Sequence, residues 1–159
     1  RERVAQRIAT ITKRHDIIDA VVNSNTSSVP EQLKAAKVLS TVSEAEEFKG
    51  ITEALNRVIN ISAKAQENAS GEISEERLET ESERTLVKAI KELQSKVQTL
   101  TPEELYSHLE AMAPKINDFF NENMVMVDDE ETRRNRLRFL GLLSQIILEL
   151  ADFTSLIVK

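Results

Sequence analysis

The sequence predicts an all-α fold, and three observations carry that prediction. Only three Gly and three Pro occur in 159 residues, too few turn formers to close many short strands. With one Tyr, five Phe and no Trp, the chain is poor in the aromatics that strands favour. Apolar residues recur at spacings of three and four along most of its length, the period of a helix with one buried face. The length suits a single domain, residues 1–159, and a hydrophobic content of 40% against 30% charge is enough to bury a core.

Val4, Ile8, Ile11, His15, Ile18 and Val22 form the first apolar stripe. It reads as one helix, with Asp16 and Asp19 offering the start of a second. On this line His15 is expected to serve as a core or capping histidine. Residues 23–28, NSNTSS, read as a loop. Pro30 suits the first position of the next helix, which turns Leu33, Ala36 and Leu39 inward. A further helix covers about residues 45–66, with Phe48, Ile51, Leu55, Val58 and Ser62 buried and Glu53, Arg57, Asn60 and Lys64 on the opposite line. Residues 67–72, ENASGE, interrupt the pattern, so a break between sub-lobes is expected near 67–73.

An acidic stretch, residues 74–84, precedes a helix marked by Leu86, Ile90, Leu93 and Val97. Thr101-Pro-Glu-Glu104 is a strong helix start: a capping hydroxyl, a proline whose missing N–H is no loss, and a glutamate reaching back. Leu105, Leu109, Met112, Ile116 and Phe119 form the stripe that follows, and Pro114 within it is expected to kink the helix. NENMVMV is a connector. The acids Asp128, Asp129, Glu130 and Glu131 then open the last helix, since carboxylates favour the positive end of the helix dipole. Its core line is Leu137, Leu140, Leu143, Ile147 and Leu150.

Composition excludes several kinds of chemistry. There is no Cys, which removes disulfides, thiolate nucleophiles and thiolate metal ligands. Two isolated His give no zinc motif, and Gly50, Gly71 and Gly141 stand too far apart for a phosphate loop. No catalytic residue and no metal site is therefore expected. The longest apolar block, residues 139–150, is broken by Ser144, Gln145 and Glu149 and is no membrane span. No signal peptide is read, and a chain that opens on Arg1 is expected to be a piece of a longer protein. A net charge of −6 argues against global attraction to nucleic acid. The imbalance is local: residues 1–71 hold ten basic and nine acidic side chains, residues 72–159 eleven and eighteen.

Two polar clusters stand out. Arg133, Arg134, Arg136 and Arg138 lie within six residues, in the first turns of a helix whose dipole does not favour them. Arg133 and Arg136 share a face, and Arg136 falls on the core line. It is either a buried-edge arginine paired to Asp128, Asp129 or Glu131, or part of a fork for RNA phosphates and bases. Arg134 and Arg138 read as solvated charge. Arg57, Asn60 and Lys64 are either a solvated ridge, with Glu53 pairing Arg57, or contacts for a nucleic-acid backbone. Tyr106 reads as packing, and Phe119 and Phe120 as core. His108 and Tyr106 are alternatively placed to stack a splayed base.

Residues 116–156, INDFFNENMVMVDDEETRRNRLRFLGLLSQIILELADFTSL, resemble the end of the β subunit of bacterial glycyl-tRNA synthetase, the form built from separate α and β chains. The likeness rests on Asp118, Phe119 and Phe120, the MVMVDD run at 124–129, Arg133, the NRL at 135–137, the ADF at 151–153 and Leu156. HDIIDAVV at 15–22 and FKGITEALNRVINI at 48–61 are similar to upstream segments of that family, in the same order. Asn56 departs from the basic residue expected there, and Arg134 from a smaller or neutral one.

The resemblance implies a helical bundle of the DALR anticodon-binding type. It implies a cytoplasmic parent enzyme that charges tRNA with glycine using ATP and Mg²⁺, chiefly on its α subunit. This chain would then be a recognition module holding no cofactor of its own. Its partners would be tRNA(Gly) and, through the parent β chain, the α subunit, with no membrane and no DNA. Arg57, Asn60, Arg133, Asn135 and Arg136 stand at matching motif positions. With Lys64 they are the expected RNA contacts, and Asp128 or Asp129 would orient an arginine or accept from a base amine. Glycine anticodons end in two cytosines, whose pairing edge calls for both an acceptor and a donor. The other class of reading is a helical protein-interaction domain that binds no RNA.

Overall fold

A computed structural model describes residues 2–26, 28–65 and 71–158. Among them are seven α-helices, three 3-10 turns and no strand. The helices are α1 (Glu2–Ile8), α2 (His15–Val22), α3 (Val29–Val42), α4 (Phe48–Lys64), α5 (Glu81–Lys96), α6 (Pro102–Glu122) and α7 (Glu130–Leu148).

The first stripe makes two helices rather than one. Thr10 and Ile11 donate to the carbonyls of Arg7 and Ile8, tightening and ending α1. Arg14 is the residue before α2, where its backbone is extended. The break rotates the second half of the stripe, so Ile17 and Val21 join Ile18 in the core while Ile11 is exposed. His15 opens α2 in an exposed position, which corrects its expected core role. Ser28 caps α3, accepting from the Glu31 amide, with Pro30 in its first turn.

Two capping boxes begin α5 and α6, built on Thr80 with Glu83 and on Thr101 with Glu104. α6 carries Pro114 and continues to Glu122. α7 starts at its N-cap Asp129, whose carboxylate accepts from the Glu131 amide and the Thr132 hydroxyl. It is buried on two flanks: Leu137, Leu140, Leu143 and Ile147 are buried as expected, but so are Phe139 and Ile146 on its other flank.

α5 and α6 form an antiparallel hairpin, and α4 packs across both α6 and α7. One apolar cluster runs from Ile8 to Leu156 and holds residues of all seven helices. Of the segment at 67–73, residues 67–70 lie outside those described. Gly71 adopts φ 115°, a conformation that L side chains rarely take, so glycine is required there.

Candidate nucleic-acid interface

α4 presents its polar line outward because its other face is filled. Phe48, Ile51, Leu55 and Val58 are buried, which leaves Glu53, Arg57, Asn60 and Lys64 exposed. The expected Glu53–Arg57 pair does not form. Instead the Arg57 guanidinium lies 4.2 Å from the centre of the Phe120 ring, over its electron-rich face. Phe120, read from the sequence as core, is half-buried at the edge and packs edge-on against fully buried Phe119. The ring thus gives the exposed guanidinium a fixed surface to rest on.

Past α6 the connector carries Met124 and Met126 to the surface, while Val125 between them is buried. Arg133, in the first turn of α7, folds back and donates from Nη1 to the carbonyls of Val127 (2.9 Å) and Asp128 (3.3 Å). It is half-buried. Asp128 and Asp129 are both exposed, though Asp129 is engaged in starting α7. Arg134 pairs with Glu130 one turn back, at 2.6 Å. Arg77 reaches across to Glu131.

Arg136 turns inward. Its side chain is 5% exposed and meets Glu83, which is 0% exposed, through Nε to Oε2 at 3.1 Å and Nη2 to Oε1 at 3.2 Å. Nη1 donates to the Met124 carbonyl at 2.5 Å, and Nη2 also reaches Asn123 Oδ1 at 3.4 Å. Glu83 Oε1 accepts from the amides of Glu79 and Thr80, so the ion pair is welded to the capping box of α5. The expected partners Asp128, Asp129 and Glu131 are replaced by a residue 53 positions away. Asn135 is likewise buried, bonding the Ser74 amide and carbonyl at 2.7 and 2.9 Å. Arg136 and Asn135 thus leave the set of outward contacts. A guanidinium and an amide with all-protein partners inside the bundle position other groups and present no surface.

Glu83 is the buried counter-ion of Arg136 that sequence reasoning missed, hidden in an acidic run. The T-x-x-E spacing of Thr80 and Glu83 is the signal that marks it. Asn56, where the resemblance leads one to expect a base, has a buried Oδ1 that no donor reaches among the described residues. Tyr106 is buried and stacks on Phe48, centroids 6.5 Å apart. Burial, with Glu110 and Glu47 nearby, pushes its hydroxyl pKa upward, so it is a neutral packing residue. Among the described residues no group of three or more His, Asp or Glu could hold a metal ion, and no helix is long and apolar enough to cross a membrane.

The segment carrying this geometry, residues 51–153, matches the family described as the DALR anticodon binding domain. The chain belongs to that family. The match begins in α4 and ends in the turn Phe153–Ser155, so it contains the Arg57–Phe120 stack, the connector and the Arg136–Glu83 pair. The DALR domain is also similar to glycine–tRNA ligase beta subunits. Identity is 32% over 158 residues with that of Pediococcus pentosaceus, covering 99% of this chain and 23% of the relative. For Lactiplantibacillus plantarum it is 34% over 160 residues, again 99% and 23%. For Halalkalibacterium halodurans it is 34% over 161 residues, with the same coverage. The chain thus spans under a quarter of the length of the relatives it matches.

Proposed function

We propose that this DALR domain reads the anticodon loop of tRNA(Gly) as part of a glycyl-tRNA synthetase β subunit. The exposed Arg57 guanidinium, preorganised on the Phe120 ring, is the observation that carries the reading. A planar cation fixed in that way loses little entropy when it grips a phosphate, a base edge or a base face. Asn60 and Lys64 continue the contact one and two turns along α4, and Arg133 adds charge at the start of α7. Asp128, exposed next to Arg133, supplies the acceptor that a cytosine amine requires. Arg136 and Asn135 hold α7, α5 and the connector in register.

Joining bonds is left to the rest of the enzyme. ATP, Mg²⁺ and the glycine site belong to the parent assembly with its α subunit in the cytoplasm, and this domain adds recognition and effective concentration. The test is Arg57→Ala in the full-length protein, titrated against tRNA(Gly) and against the same tRNA with its two anticodon cytosines replaced. We expect affinity for the cognate tRNA to fall by about 1–3 kcal/mol and the preference for cytosine to shrink. Binding indifferent to those cytosines in the wild-type protein defeats the proposal.

A further inference from the structure

The α5–α6 hairpin carries a second positive surface, built from residues of neither α4 nor α7. Its outer groove, about 540 Å³, is lined by Arg84, Lys88 and Lys96 of α5 and by His108 and Lys115 of α6. Only two carboxylates, Glu81 and Glu92, share the lining. Four permanent cations facing two acids is the reverse of the whole chain, whose net charge is −6. Among the described residues Lys88, Lys96 and Lys115 form no ion pair. Arg84 meets Glu81 only loosely, at 3.5 Å with both side chains at least half exposed. Lys91, on another face of α5, is by contrast matched to Glu75 at 2.8 Å.

Spacing and direction give this groove an occupant. From Arg84 to Lys96 is twelve residues of helix, about 18 Å of rise. Its Arg84 end lies where Thr80 and Ser82 bond Asn123, at 3.0 Å each. That is the end of α6 carrying Phe120 and, over it, Arg57. The groove therefore starts at the end of the bundle where the anticodon contacts lie and runs away from them along the hairpin. Unpaired lysines match a phosphodiester backbone as point charges, with no readout of base identity.

We infer that the α5–α6 groove receives the phosphate backbone of the tRNA's anticodon arm, a reading that rests on the anticodon function proposed above. The groove supplies sequence-independent affinity, and the Arg57 surface supplies the choice of base.

The experiment is charge reversal in the full-length protein, Lys88→Glu with Lys115→Glu. A charge-matched control, Lys34→Glu with Lys37→Glu on α3, accompanies it. Both are titrated with tRNA(Gly) and its cytosine-substituted form over a range of salt, after unfolding midpoints confirm intact structure; K88Q with K115Q replaces any reversal that fails to fold. The expected result is a loss of tenfold or more for both RNAs alike, with their ratio kept. The plot of log affinity against log salt should become shallower by about 1–2, since each lost phosphate contact removes about 0.7–0.9 of slope. The α3 control leaves both quantities unchanged.

Unchanged affinity and slope in the groove variant, with cytosine preference intact, overturn the groove and spare the anticodon reading. A wild-type protein indifferent to the cytosines, yet weakened and flattened by the reversal, sinks that reading and supports the groove. A reversal that dissociates the synthetase chains without touching RNA affinity overturns the groove in favour of a protein contact.

Discussion

Glu83 bonds two backbone amides with one oxygen and meets a guanidinium with both. Removing Arg136 strands that carboxylate in the core, and removing Glu83 strands the arginine. We expect Arg136→Ala to cost about 3–5 kcal/mol in urea unfolding, and Arg136→Lys to recover only part of it because an ammonium cannot make the forked contact. Arg57→Ala, which removes an exposed cation–π contact, should cost about 0.5–1 kcal/mol of stability while weakening RNA binding. The two arginines look alike in the sequence, and both lie within the matched residues 51–153. What separates them is a partner 53 residues upstream of Arg136, which local spacing cannot nominate over the four nearby acids. The cap geometry around Glu83 was legible, by the rule that identified Thr101 and Glu104; its second task as a buried counter-ion was not.

Helix starts were the readable part of α3, α6 and α7. Thr101, with Pro102 and Glu104, begins α6 as the sequence indicates, and Asp129 begins α7. Thr80 begins α5 by the same device and also donates its hydroxyl to Asn123 Oδ1. Thr101→Ala should therefore cost about 1 kcal/mol by thermal or urea unfolding. Thr80→Ala should cost more, since it also leaves the buried Asn123 Oδ1 with only the long 3.4 Å contact from Arg136. Helix ends were harder to read. The stripe from Val4 to Val22 keeps its spacing through residues 9–14, yet the chain leaves the helix there, because i→i+3 bonds at Thr10 and Ile11 close α1. Periodicity records which residues face inward and is silent on whether the backbone between them stays helical.

At the scale of the whole molecule, the first and last parts of the chain are stitched together. Asp16 Oδ2 accepts from the Ile157 amide at 2.9 Å and from Arg14 Nη2 at 2.6 Å, and the Asp152 amide donates to the Ala20 carbonyl at 2.8 Å. Partial burial opposes ionisation of Asp16, but these hydrogen bonds outweigh it, and the carboxyl sits below its usual value of 3.8. A depressed native pKa means stability that is fully present above the unfolded value and is lost as pH falls through the native one. Asp16→Asn should thus be less stable than wild type at pH 7, with the gap closing under strongly acidic conditions, as followed by unfolding midpoints across pH. Nothing in the spacing of Asp16 announces this tie, for its partner is 141 residues distant.

That stitch also sets a timetable during synthesis. Residues 14–26 cannot be locked in place until residues 148–157 have left the ribosome, and at about 5–20 residues per second those 141 positions take about 7–28 s. For that interval Ile17, Ile18 and Val21 lack the tail that finally covers them, so a chain released after residue 148, with α7 whole and the tail missing, should be cut by protease within α1 and α2 faster than the chain that carries residues 149–157.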